Sequence, residues 1–125
     1  MPTGQTHVPT RWRPALRAAI WGLAAFIAVA MLMPAQAIPQ PGGSDKLHHM
    51  LAFGALSVPA TMLYPGRILA VVLCVIVFGG ALELIQPLTG RFAEGADLIA
   101  DGIGALAGVG IGLMLNRILA ARTGP

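Results

Sequence analysis

Very little of this chain is charged, aromatic or able to cross-link. Of its 125 residues only 10% are charged and 6% aromatic, and Cys74 is the single cysteine. One cysteine excludes an intramolecular disulfide, and its place inside an apolar run argues against a reactive thiol. The formal charge is +3, but Lys and Arg form no dense run. With so few aromatics, a basic groove with stacking platforms is excluded, and no nucleic-acid partner is expected. A Ser-His-Asp pattern, a phosphate loop and a dinucleotide fingerprint are absent too. Histidine and carboxylate groups from three helices have the chemistry to assemble a metal site. None of the local H-x-x-x-H or H-E-x-x-H spacings is present, however, so no metal and no cofactor are assigned.

What remains is mostly oil. The chain is 56% hydrophobic with a mean hydropathy of +0.76, more apolar surface than a soluble domain of this length covers. The expected fold class is an all-α membrane protein, a compact bundle of four transmembrane helices forming one domain. The first apolar run, 15–33, spans about 28 Å at about 1.5 Å per residue, close to one hydrocarbon core, and Pro34 ends it. Three prolines and two glycines make the segment from Pro34 to Ser44 an irregular loop. Ser44 suits an N-cap and Asp45 the positive end of a second helix over 47–64, with a kink expected at Pro59. Pro65 and Gly66 form a turn; the third and fourth spans cover 68–86 and 97–115. Residues 1–10 read as a disordered cytoplasmic tail, 11–118 as the membrane domain and 119–125 as a short cytoplasmic tail.

Basic residues set the orientation. Arg11, Arg13, Arg17, Arg67, Arg117 and Arg122 flank one side, Lys46 and Arg91 the other. Both termini are therefore expected in the cytoplasm, with the 34–46 and 87–96 loops outside. A rival reading takes Arg11, Arg13 and Arg17, the apolar run and Ala35-Gln36-Ala37 as a cleaved signal peptide, although the run exceeds the usual h-region. Cleavage would leave three helices.

The acids are few and unevenly placed. All five (Asp45, Glu83, Glu94, Asp97, Asp101) fall on the outer side, with His48, His49, Lys46 and Arg91. A carboxylate at the centre of a membrane helix costs about 2.5–3.5 kcal/mol on insertion scales, so the concentration suggests a site. Asp97 and Asp101 lie about 40° apart on a helical wheel, and Gly104, Gly108 and Gly112 fall within about 60° of Asp97. That small-residue stripe lets membrane helices approach, so Asp101 is expected to point into the bundle. Gly79 and Gly80 lie under the face of Glu83, and Asp45 and His49 are i,i+4 neighbours. Plainer roles are available for several of these residues. Asp45 and Asp97 suit helix caps, Lys46 and Arg91 suit charge neutralisation, and His48 an interfacial position. Glu94 suits a solvated loop, Trp12 an interface anchor and Trp21 lipid-facing bulk. His49, one step further in, is the better candidate for proton exchange.

These residues, in this order, resemble the VanZ-like family of small bacterial membrane proteins over about residues 11 to 116. The family pairs an Asp-Lys-x-x-His motif with a later Glu-x-x-Gln, an Arg in the next loop, and Asp-x-x-x-Asn before a glycine-rich helix. Asp45, Lys46 and His49 match the first motif, with Phe53 at its usual aromatic place. Glu83 and Gln86 match the second, Arg91 the third, and Asp97 begins the fourth. Asp101 stands where Asn is commonest, ahead of Gly104 and Gly108, and adds a negative charge. The resemblance implies a four-helix protein of the bacterial cytoplasmic (inner) membrane, and the family's namesake is associated with teicoplanin resistance.

The leading functional expectation is an envelope-facing binding protein. Its partners would be membrane lipids, and its ligand an anionic envelope lipid or cell-wall precursor held by Lys46, Arg91 and two helix N-termini. No catalytic residue is assigned. The enzyme alternative is a membrane hydrolase or transferase using His49 and Glu83 as an acid–base pair. A proton-coupled transporter using Asp101 and Glu83, as a homo-oligomer, is a third reading. In a fourth, the cluster only locks three helix ends together.

Overall fold

The structure, a computed structural model, describes residues 4–34 and 45–122. Its long helices are α1 (Arg13–Leu32), α2 (Asp45–Leu63), α3 (Ile68–Ile85) and α4 (Gly95–Arg122), and no strand occurs among the described residues. Short 3-10 turns precede α1 (Thr10–Trp12) and follow α3 (Gln86–Thr89). Ser44, the Ala35-Gln36-Ala37 stretch and most of the expected 34–46 loop lie outside the described residues.

Proline and glycine set most of the boundaries. Pro14 sits in the first turn of α1, where its missing N–H costs nothing. Met33, just before Pro34, is extended (φ −60°, ψ 138°), because proline disfavours helical geometry in its predecessor. Pro65 and Gly66 lie in a tight turn in which the Arg67 amide donates to the Tyr64 carbonyl at 2.9 Å. Gly90 closes the turn after α3 at φ 77°, a conformation that suits a residue without Cβ. Pro59 lies inside α2, whose helix continues on both sides of it. The fourth helix exceeds the expected 97–115 span at both ends. Nothing between Asn116 and Arg122 breaks a helix, and Arg122 suits its negative end.

Among the described residues, three helical segments are long and apolar enough to cross a membrane: Thr10–Leu32, Ile68–Thr89 and Gly95–Arg122. Large side chains such as Trp21, Phe26, Leu69, Val77, Leu84 and Leu106 stand exposed on them. That surface belongs in lipid, so this is a membrane protein. Helix α2 is not among the three, since Asp45, Lys46, His48 and His49 crowd its first turns. It is instead the helix most enclosed by the others, with His49, Phe53, Leu56, Ser57, Pro59, Thr61 and Leu63 buried.

Helices α2 and α4 meet backbone to backbone. A Cβ added at Gly104 would collide with the Met50 carbonyl, and one at Gly108 with the Gly54 carbonyl. At Gly112 it would lie 2.8 Å from Thr61 Cβ and from the Val58 carbonyl oxygen. Gly54 returns the contact, with its own Cβ direction 3.1 Å from the Gly104 carbonyl oxygen. Elsewhere Ile27 and Met31 of α1, Phe53 and Leu56 of α2, Val75 and Leu82 of α3 and Ala105 of α4 form the apolar core.

One difference concerns the other end of the bundle. Residues 4–9, read from composition as part of a free tail, pack against it. Thr6 Oγ1 donates to the Met62 carbonyl at 2.7 Å, the His7 amide donates to Asn116 Oδ1 at 2.8 Å, and Val8 is buried. The exposed carbonyl end of α2 and the Asn116 amide supply partners that composition does not reveal. Trp21 is exposed, in keeping with lipid-facing bulk, and also borders with Ile20, Tyr64 and Arg67 an apolar cleft of about 460 Å³ between α1, α2 and α3.

The glycine seam makes a paired prediction. Gly108→Ala is expected to lower the thermal midpoint in detergent, because the added methyl meets a carbonyl and overpacking costs about 1–3 kcal/mol. Gly110→Ala has open space around it and is expected to be neutral or to stabilise by up to about 1 kcal/mol. Equal midpoints for the two variants would contradict backbone contact at Gly108.

Candidate functional site

One end of the bundle is polar, and it is built from all four helices. The N-termini of α2 and α4 deliver Asp45, Lys46, His49, Asp97 and Asp101, and the C-terminal end of α3 delivers Glu83 and Gln86. Arg91 follows from the connecting segment and reaches the last turn of α1. Exposure falls steeply from rim to floor: the Asp45 side chain is 53% exposed, that of Asp97 3% and that of Asp101 0%.

At the floor, His49 Nδ1 lies 2.7 Å from Asp101 Oδ1. A carboxylate only accepts, so Nδ1 carries the proton of this contact. His49 stacks over Phe53 (centroids 6.1 Å apart, planes at 18°), which fixes the ring. Room for Asp101 is made by Gly79 of α3, where a Cβ would overlap Asp101 Oδ2. The sequence places Gly79 beneath Glu83; in the fold it serves Asp101. Nε2 of His49 has no hydrogen-bond partner and lies 3.9 Å from both Asp45 Oδ2 and Asp97 Oδ2.

Around this centre the remaining polar side chains hold helix ends. Glu83 does not pair with His49; its Oε2 accepts from the Glu94 amide at 3.0 Å, fixing the entrance to α4. The acid–base pair expected of His49 and Glu83 is thus replaced by His49 and Asp101. Arg91 donates to the Met31 carbonyl at 2.8 Å and the Ala30 carbonyl at 3.5 Å, and Gln86 Nε2 donates to the Met31 carbonyl at 3.2 Å. Both therefore satisfy carbonyls at the end of α1, which a helix terminus leaves without intrahelical partners. Arg91 also touches Asp45 Oδ1 at 3.5 Å. Lys46 pairs with Glu94 at 3.0 Å and lies 3.9 Å from Asp97 Oδ1. Glu94 is an exposed loop residue, as read from the sequence, and in addition it pairs with Lys46 and supplies the amide held by Glu83. Position in a loop hid both contacts, since nothing in its spacing points to α2 or α3. His48 is exposed.

The two cations thus have carboxylate partners, whereas several buried atoms have no hydrogen-bond partner: His49 Nε2, Glu83 Oε1, Gln86 Oε1, Asp97 Oδ1 and Asp101 Oδ2. All but the Gln86 amide oxygen belong to ionisable groups, and an amide or carboxylate oxygen accepts. Gly104, Gly108 and Gly112 lie below the cluster on the same face of α4, packed on α2. Compared with family models, curated proteins and solved structures, the chain matches none.

Removing the floor acceptor is expected to be costly. Asp101→Ala leaves the His49 N–H buried without a partner, and a loss of about 1–3 kcal/mol is expected in equilibrium unfolding. Nitrogen NMR of His49 in the wild type is expected to read a protonated Nδ1. A neutral ring protonated on Nε2 would contradict the Asp101 contact.

Proposed function

We propose that this chain is a VanZ-like protein of the bacterial cytoplasmic membrane. In this reading all four helices span, both termini are cytoplasmic, and the polar mouth faces outward to bind an envelope lipid or cell-wall-related ligand. The charge distribution supports this orientation. Arg11, Arg13, Arg17, Arg67, Arg117 and Arg122 belong to the end opposite the mouth, as expected for a cytoplasmic face. Helix α2 has 19 residues and reaches about 28 Å, enough for one hydrocarbon core. Its low apolarity is tolerable because α1, α3 and α4 enclose it, so few of its polar groups meet lipid.

The observation that carries the binding reading is the set of unpartnered acceptors at the mouth. A cluster that only locked helix ends would satisfy its buried polar atoms internally, because each unmet one costs about 1–3 kcal/mol. The same set shapes the ligand. Lys46 and Arg91 are engaged by Glu94 and Asp45, and acids outnumber bases here, so a bare anion is disfavoured. The arrangement suits the hydroxyl, amide or ammonium donors of a lipid headgroup or cell-wall precursor.

Reporter fusions in the 87–96 segment are expected to be active outside the cytoplasm; activity inside would overturn the topology. Purified protein in nanodiscs is expected to bind a polyprenyl-linked cell-wall precursor or an envelope lipid. Asp97→Asn should weaken that binding about tenfold or more. No binding to either ligand class would overturn the functional reading. The namesake's link to glycopeptide resistance belongs to the same proposal and is read from teicoplanin susceptibility with and without the protein. One observation favours a second reading: a buried Asp101–His49 pair with Nε2 free has the form of a general base. Turnover of phospholipid or polyprenyl phosphate, lost in His49→Gln, would select the hydrolase over the binding protein.

A further inference from the structure

The geometry points to a divalent transition-metal site in the mouth, held by Asp45, His49 and Asp97. One oxygen of each carboxylate and one nitrogen of His49 all lie within 4.8 Å of one another. Acidic clusters alone are common on protein surfaces, but here a second feature is present. His49 is 2% exposed, its Nε2 has no hydrogen-bond partner, and that atom faces both carboxylates at 3.9 Å.

A proton on Nε2 accounts poorly for this arrangement. An N–H donates well along one direction, and 3.9 Å is too long for a hydrogen bond to either acid. The same separation is just under twice the metal–ligand bond length of about 2.0–2.2 Å, so an ion would reach each pair at a wide angle and draw the carboxylates inward. Asp45 is half-exposed on the rim and its contact with Arg91 is long at 3.5 Å, so a small inward rotation brings its other oxygen closer. The tautomer agrees as well. Asp101 accepts from Nδ1 at 2.7 Å, the arrangement in which a carboxylate behind a ligating histidine orients the ring and raises its basicity.

Neighbouring charges leave the space open. Lys46 approaches Asp97 through Oδ1 and is engaged by Glu94, whereas His49 faces Oδ2. Arg91 meets Asp45 through Oδ1, and Nε2 of His49 lies on the Oδ2 side. Each cation thus occupies the far oxygen of its carboxylate. The N-termini of α2 and α4 oppose a cation, but each carries only about half a charge, against two full carboxylates.

One imidazole nitrogen and two carboxylate oxygens suit Zn²⁺, Mn²⁺ or Fe²⁺ better than Ca²⁺ or Mg²⁺, which favour all-oxygen shells. Three protein ligands leave an open position toward the mouth. The inference rests on the reading of this mouth as a binding site, and it would give an oxygen atom of the ligand a place on the ion.

The test uses the full chain, purified in detergent, stripped with chelator and titrated with Zn²⁺ and Mn²⁺ by calorimetry. Co²⁺ absorption reports the ligand geometry. One ion per chain is expected. Asp45→Asn, on the rim and away from the packed floor, should weaken it at least tenfold with helicity unchanged by circular dichroism. His49→Gln should abolish it, and Asp101→Asn should weaken it about 10–100-fold. His48→Gln, an exposed neighbour, should leave it unchanged. No saturable binding, binding indifferent to Asp45→Asn and His49→Gln, or binding lost in His48→Gln would each overturn the site. Ligand binding by the stripped protein is measured in parallel. If it persists while no ion binds, the metal site fails and the envelope-binding reading stands; if an ion binds and no ligand does, the reverse holds.

Discussion

The polar end of this molecule depends on how closely α2 and α4 approach. At Gly104 and Gly108 there is no room for even a methyl group between the two backbones. Hydrophobic force does little to bring helices together in lipid, so contact between small residues has to supply the association. Once the axes are this close, side chains a turn above the seam face each other at hydrogen-bonding range. His49 of α2 then meets Asp101 of α4 at 2.7 Å, and Asp97 lies one turn nearer the rim. Bulkier residues along the seam would move the axes apart and separate the histidine from its acid.

Burial turns that proximity into a graded site. Asp45, Lys46 and Glu94 remain about half-exposed, whereas His49, Asp97 and Asp101 are almost fully enclosed. The outer residues neutralise one another in water-accessible ion pairs, which contribute little stability singly. The inner ones lie in a low-dielectric setting, where an unmet lone pair is expensive and a partner is worth more. Arg91 and Gln86 add a mechanical role, since both hold the end of α1 through its carbonyls. The mouth is therefore braced by Arg91 and Gln86, whose donors are engaged by the carbonyls of α1.

Much of this was legible along the chain, residue by residue. Alternation of apolar runs with proline and glycine marks the helices to within about two positions, except at the end of α4, because those residues act locally on the backbone. The i,i+4 spacing of Asp97 and Asp101 with the glycine stripe placed the acids on the packed face of α4, where both are buried. Pairings between helices were another matter. His49 has Asp101 as its partner, with Glu83 turned to the Glu94 amide; Gly79 clears space for Asp101, with Glu83 a turn away; residues 4–9 dock where a free tail was expected. None of these follows from periodicity, since each depends on the rotation of one helix relative to another.

The sequence alone determined that the chain is helical and suited to lipid, and that its acids collect at one end. Those properties follow from short-range backbone preference and from the high cost of charge in hydrocarbon. Which donor meets which acceptor was decided only in three dimensions. A side chain reaches a few ångströms, so its partner is set by helix rotation and separation, and here the glycines between α2 and α4 set both.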